Sequence, residues 1–191
     1  MSELNAVDGG EDAAGGVEDR TDAVDAVAEA LRSAERRLAD VEREIESVGE
    51  DAVVDAADAY RTAIRLLDRY EESATGTGDF QAYVEFQDKF LGLVDGRDDT
   101  PASEAFAAAG ERLDQRRLSG SDFDAAREDL APAAEYVDLL ERRDAAEEAI
   151  AKARRDARVR RRDLDAEIDA RAEWLAVGEA DLDAPVEELT E

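Results

Sequence analysis

The residues best placed to do chemistry lie between Lys152 and Arg162. Arg154, Arg155, Arg158, Arg160, Arg161 and Arg162 join that lysine in one run of the chain. On a helical wheel Arg154, Arg155, Arg158, Arg161 and Arg162 form a stripe beside an apolar seam. A guanidinium fork matches phosphate or carboxylate geometry, so the stripe suits a polyanion, an acidic partner protein or an acidic neighbouring helix. The first long helix offers Glu35 and Glu42 at flanking positions and Glu44 on the other side. The leading expectation is an electrostatic flank paired with those carboxylates. Each exposed pair would contribute only about 0.2–1 kcal/mol, but together they would set register. Nucleic acid is the weaker reading, because the chain carries a formal charge of −28 and molar salt suppresses binding driven by counterion release.

Other constellations are thinner. Thr75-Gly76-Thr77-Gly78 lacks the trailing lysine of a phosphate-binding loop and follows a helix rather than a strand, so it reads as a turn. Asp122/Asp124 and Asp181/Asp183 are spaced as carboxylate pairs. With 52 acidic residues in the chain such spacings arise by chance, and the loop glycine of a calcium site is missing. Asp79, Tyr83, Gln87, Arg116 and Arg117 could line a crevice, although helix caps and solvated faces account for them equally well. Cysteine and histidine are both absent. That excludes thiolate chemistry, disulfides and zinc–sulfur sites, and removes the usual base near neutral pH. We expect no catalytic residue, no cofactor and no metal, and therefore no enzyme.

The elements that hold the stripe follow from hydrophobic spacing. Residues 1–20 are acidic and glycine-containing and read as a disordered tail. Thr21 is a good helix cap. From there Val24, Leu31, Leu38 and Ile45 recur every seven residues, with Val27, Ala34, Val41 and Val48 between them, as in a coiled coil. Gly49 breaks the helix, and Val53, Ala57, Tyr60, Ile64 and Leu67 continue the pattern, so 21–72 is expected to be a helical hairpin. Asp79 should cap a helix to about Val94, Thr100 should cap one beginning at Pro101, and Ser121 should cap a third. Residues 73–132 therefore form a small helical head. A last helix is expected over 133–177, with Leu139, Ala146, Ile150, Ala153, Ala157, Leu164, Ile168 and Leu175 on one face and Gly178 as its stop. Residues 178–191 are then a loop, with Pro185 opening a helix that the chain end cuts short.

Nine of the ten aromatic residues lie between Tyr60 and Tyr136, with Trp174 outside. Aromatic rings build globular cores, whereas narrow seams use aliphatic residues. The predicted fold is all-α: an antiparallel coiled-coil stalk from the N-terminal and long C-terminal helices, with a small aromatic-cored helical head.

Charge and compartment point one way. Acidic residues outnumber basic ones 52 to 24, and of the basic residues only Lys89 and Lys152 are lysine. Self-repulsion on that scale is relieved at molar salt, where the screening length falls to roughly 3 Å. The composition predicts a salt-adapted cytoplasmic protein, without signal segment or membrane span. Three stretches, AIRLLDRYEESATGTGDFQAYVEFQDKF (63–90), DQRRLSGSDFDAAREDLAP (114–132) and GEADLDAPVEEL (178–189), resemble an uncharacterised haloarchaeal coiled-coil family, a domain of unknown function. The resemblance covers most of residues 21–189 and implies a coiled-coil architecture that runs past this chain's end, with no residue role to carry over. The expected function is a non-enzymatic interaction or scaffold protein. Its partner would be a protein or a second copy through coiled-coil helices, and a nucleic-acid role through Arg154–Arg162 is the alternative.

Overall fold

The computed structural model describes residues 11–75, 79–97 and 100–182, with side chains described from 20 to 177 within those ranges. The described residues form an all-α protein without strands; the one β feature is an isolated bridge between Thr75 and Leu118. The helices are α1 (Glu11–Val48), α2 (Glu50–Ala74), α3 (Phe80–Val94), α4 (Ser103–Leu113), α5 (Gly120–Leu130) and α6 (Ala134–Leu182). A 3₁₀ turn over Ala131–Ala133 holds Pro132 and leads into α6.

Several boundaries differ from those read in the sequence, each for a local reason. The helix α1 opens at Glu11, so Thr21 lies inside it and 11–20 is helical; once a helix is nucleated, each added residue costs little. Residues 1–10 fall outside the described residues. Between α3 and α4, the Thr100 hydroxyl donates to Arg97 O at 2.8 Å and Ser103 N donates to Thr100 O at 3.1 Å. These bonds make a turn that holds Pro101, so α4 starts at Ser103 behind Ala102, whose φ of 61° redirects the chain. At α5 the cap is Ser119 rather than Ser121: the Asp122 carboxylate accepts from the Ser119 N–H at 2.8 Å and from its hydroxyl at 2.6 Å. The C-terminal helix passes through Gly178 to Leu182, because one helical glycine costs only about 1 kcal/mol. Asp79 caps α3 as expected, accepting from Gln81 N at 2.8 Å. At Gly49, between α1 and α2, φ is 101°, a conformation that side chains with a Cβ disfavour.

The chain divides into two compact units, residues 1–35 with 147–191, and residues 36–146. The second has an aromatic core. Phe86 is its centre, with ring centroids 4.9 Å from Phe123, 5.6 Å from Phe90 and 5.8 Å from Tyr70. Leu67, Phe106, Leu113, Leu118 and Leu130 complete that core, all buried. Burying one such ring contributes roughly 1.5–3 kcal/mol. A smaller aliphatic cluster joins Val41 and Ile45 of α1 to Val53 and Ala57 of α2 and Leu139 and Leu140 of α6. Arg127 clamps α5 to α2 through Glu71 at 2.7 Å and Asp68 at 3.0 Å. In the first unit, α1 and α6 are joined by the Arg20–Glu167 ion pair at 2.9 Å, and Ala34, Ile150 and Ala153 are buried.

Candidate interaction surface

Helical spacing lays the seam of α6 down in steps of seven. Leu139, Ala146 and Ala153 are buried in that series, and the next two steps land on Arg160 and Glu167. The intervening series runs Arg143, Ile150, Ala157, Leu164. Three charged groups thus stand on a face read as apolar. Two are answered: Arg143 donates to Glu50 at 2.9 Å within residues 36–146, and Glu167 accepts from Arg20 within the other unit. The third, Arg160, keeps its Nε shielded from solvent with no hydrogen-bond partner among the described residues. The seven-residue step places these charges on the seam in the sequence itself; their partners, and the shielding of Arg160 Nε, come only from packing.

Arg160 lines an apolar groove of about 360 Å³ together with Val24, Val27, Ala28, Leu31, Ala157, Arg161 and Leu164. Leu31, Val27 and Leu164 are half-buried here, whereas Val41 and Ile45 on the same helix, in the other unit, are fully buried. Beyond the groove α6 exposes large apolar side chains: Ile168 is 63%, Leu175 60% and Trp174 76% accessible. Singly such residues need no explanation; clustered on one helix end they mark a surface suited to contact.

The arginine stripe lies on the same stretch. Arg154, Arg155, Arg158, Arg161 and Arg162 are all exposed. Glu44, one of the carboxylates expected to face the stripe, is held by Arg142 within residues 36–146. That guanidinium lowers the Glu44 carboxyl below its ordinary value. Of the five stripe arginines, only Arg161 has an ion pair among the described residues, a long 3.9 Å approach to Asp165 in the next turn of its own helix. Arg154, Arg155, Arg158 and Arg162 thus stand without an ion pair among the described residues, on a chain that is acidic as a whole.

The remaining candidates have structural work. Gln87 Nε2 donates to Leu113 O at 2.9 Å and Gln115 O at 3.0 Å, and the Tyr83 hydroxyl donates to Gln115 O. Both close the carbonyl end of α4. Asp79 is the α3 cap, and Arg116 and Arg117 are exposed. Asp122 belongs to the α5 cap, and Asp124 accepts from Arg127 at 3.3 Å. Residues 76–78 and Asp183, and the side chain of Asp181, lie outside the described residues. Among the described residues there is no cluster of carboxylates able to hold a metal ion, and no helix is long and apolar enough to cross a membrane.

Among known proteins, no curated protein matches this chain and no solved structure does. A family model matches residues 31–191, most of the chain and all of the α6 surface. The protein belongs to the family described as a domain of unknown function, DUF7118.

Proposed function

We propose that this protein is a non-enzymatic interaction or scaffold protein that works through coiled-coil pairing of helices α1 and α6. The observation that carries this reading is the coincidence, on one stretch of α6, of a half-open apolar groove and five exposed, almost unneutralised arginines. Apolar seam positions supply attraction, and flanking charges choose the partner and its direction. Seam positions occupied by Arg143, Arg160 and Glu167 are costly in stability and useful in specifying register. The absence of cysteine and histidine and the excess of carboxylates favour a binding role over catalysis.

The working environment belongs to the same reading. With 52 acidic residues, 22 arginines and two lysines, the chain suits the potassium-rich cytoplasm of a salt-loving archaeon, in keeping with its haloarchaeal resemblance. At molar salt only contacts at close range retain electrostatic value, so exposed arginines act on a docked helix rather than by distant steering.

The test is affinity capture in molar potassium chloride with the wild-type chain and with Arg154, Arg158 and Arg161 replaced by Gln. The expected result is recovery of protein bound through the stripe, diminished in the variant, with no nucleic acid retained. Nucleic acid held in molar salt by the wild type and lost from the variant would instead support the alternative role of Arg154–Arg162. Substrate turnover by the purified chain would overturn the non-enzymatic reading.

A further inference from the structure

The stripe on α6 has a sequel that changes its meaning. From Lys152 to Arg162 there are seven basic residues against one acidic, Asp156; from Asp163 to Glu173 there are five acidic against one basic, Arg171. A net charge of about +6 is followed directly by one of about −4 along the same helix. The blocks also share a side. At 3.6 residues per turn, Arg154, Arg158, Arg162, Asp165, Asp169 and Glu173 fall within one sector of roughly 100°. All six side chains are exposed. Among the described residues, only Asp165 has an ion pair, the long one to Arg161.

Within one straight helix the two blocks can meet only where they join, as Arg161 and Asp165 do. Glu167 is answered by Arg20 of α1, but Arg154, Arg158, Arg162, Asp169 and Glu173 have no ion pair among the described residues and are open to a second chain. A helix carrying a positive block followed by a negative one is complementary to itself only when the second copy runs the opposite way. Parallel pairing would put cation on cation, whereas antiparallel pairing, centred near Arg162 and Asp163, lays each block on its opposite. Such a contact is isologous, so every favourable pair occurs twice. Apolar area lies alongside: Ile168 and Leu175 border the charged sector, and both are mostly exposed. The rest of the molecule argues for the same occupant. Elsewhere the chain is strongly acidic, so two copies repel each other except where these blocks overlap.

We infer that the distal part of α6, residues 151–176, is a homodimer interface that pairs antiparallel with α6 of a second copy, the 152–162 block of each over the 163–173 block of the other. This rests on the interaction reading above and names its first partner. Small residues stand at the ends of the predicted overlap: Ala151 and Ala176 lie in the same sector, and each copy's Ala151 comes near the other's Ala176.

The experiment is sedimentation equilibrium of the purified full-length chain, in the lowest potassium chloride concentration that preserves its far-ultraviolet helical signal. Two charge-reversed variants accompany it. One carries Arg154→Glu, Arg158→Glu and Arg162→Glu; the other carries Asp165→Arg, Asp169→Arg and Glu173→Arg. The wild type is expected to dimerise, and each triple variant to associate about tenfold more weakly or worse. Mixed together, the two triple variants should form a heterodimer, and the chain with all six substitutions should recover the wild-type dimer. Recovery separates charge pairing from mere damage to the helix. Direction is read by cross-linking, which the cysteine-free chain makes clean. With a short bismaleimide, the double variant Ala151→Cys/Ala176→Cys should give linked dimers, and neither single variant should. A wild type that stays monomeric, a six-substitution chain no better than the triples, or ready linking of the Ala151→Cys single variant to itself would overturn the proposal. A monomeric wild type that still captures a foreign protein through the stripe would sink only the homodimer and leave the interaction role standing.

Discussion

Asp122 shows how one carboxylate serves both a helix start and the acid stability of the fold. It accepts from the Ser119 hydroxyl and N–H, and those bonds lower its pKa below the ordinary 3.8. Glu44 and Glu85 are lowered likewise from 4.5, by Arg142 and Lys89 respectively. A carboxylate whose folded pKa is depressed binds fewer protons folded than unfolded. Its contribution is therefore complete above the ordinary value and is lost as pH falls through the folded one. Denaturant unfolding should accordingly show stability level near neutrality and declining as pH drops below about 4. In Asp122→Asn the acid decline should be shallower, because one linked proton is gone. Ser119→Ala should cost about 1 kcal/mol at neutral pH, the usual worth of a capping residue. An Asp122→Asn profile parallel to the wild type would show that this carboxylate is not linked to folding.

At the scale of elements, α6 joins segments of very different character. Through Ala153 its seam is buried, and from Ala157 onward it opens. Arg160 sits in the open part with an unanswered Nε, and a shielded donor left unpaired costs about 1–3 kcal/mol. Arg160→Leu should therefore raise the denaturation midpoint, by about 1 kcal/mol in stability after allowing for partial exposure. An unchanged or lowered midpoint would mean that the guanidinium has a partner in solution.

The helices themselves were legible in the sequence because their signals are local: the seven-residue recurrence from Val24 to Val48, the Gly49 break, the Asp79 cap and the aromatic cluster around Phe86. What escaped was set by competition between neighbours. Ser119 and Ser121 are both credible caps, and only the reach of Asp122 back to the Ser119 N–H decides between them. Thr100-Pro101 has the form of a helix start, yet the Thr100 hydroxyl is engaged with Arg97 O. The partner of Glu44 was not legible, because Arg142, 98 residues further along the chain, is brought near it only by three-dimensional packing.

For the whole molecule, charge is the governing quantity. A formal −28 spread over 191 residues sets self-repulsion against compaction, and the screening of that repulsion strengthens steeply between 0.1 M salt, with a Debye length of about 10 Å, and 1 M, with about 3 Å. Residues 36–146 have an aromatic core to resist that repulsion. The unit formed by residues 1–35 and 147–191 has a narrower apolar contact and one described ion pair between its helices, Arg20–Glu167. Closure of α1 on α6 within a single chain is the condition for everything proposed about the α6 surface. Amide hydrogen exchange in molar potassium chloride, at a protein concentration low enough to keep the chain monomeric, reads that closure directly. Amides of residues 24–34 and 150–164 should exchange far more slowly than in an unstructured peptide. Exchange of either stretch at the free-peptide rate, while amides around Phe86 and Phe123 stay protected, would contradict it.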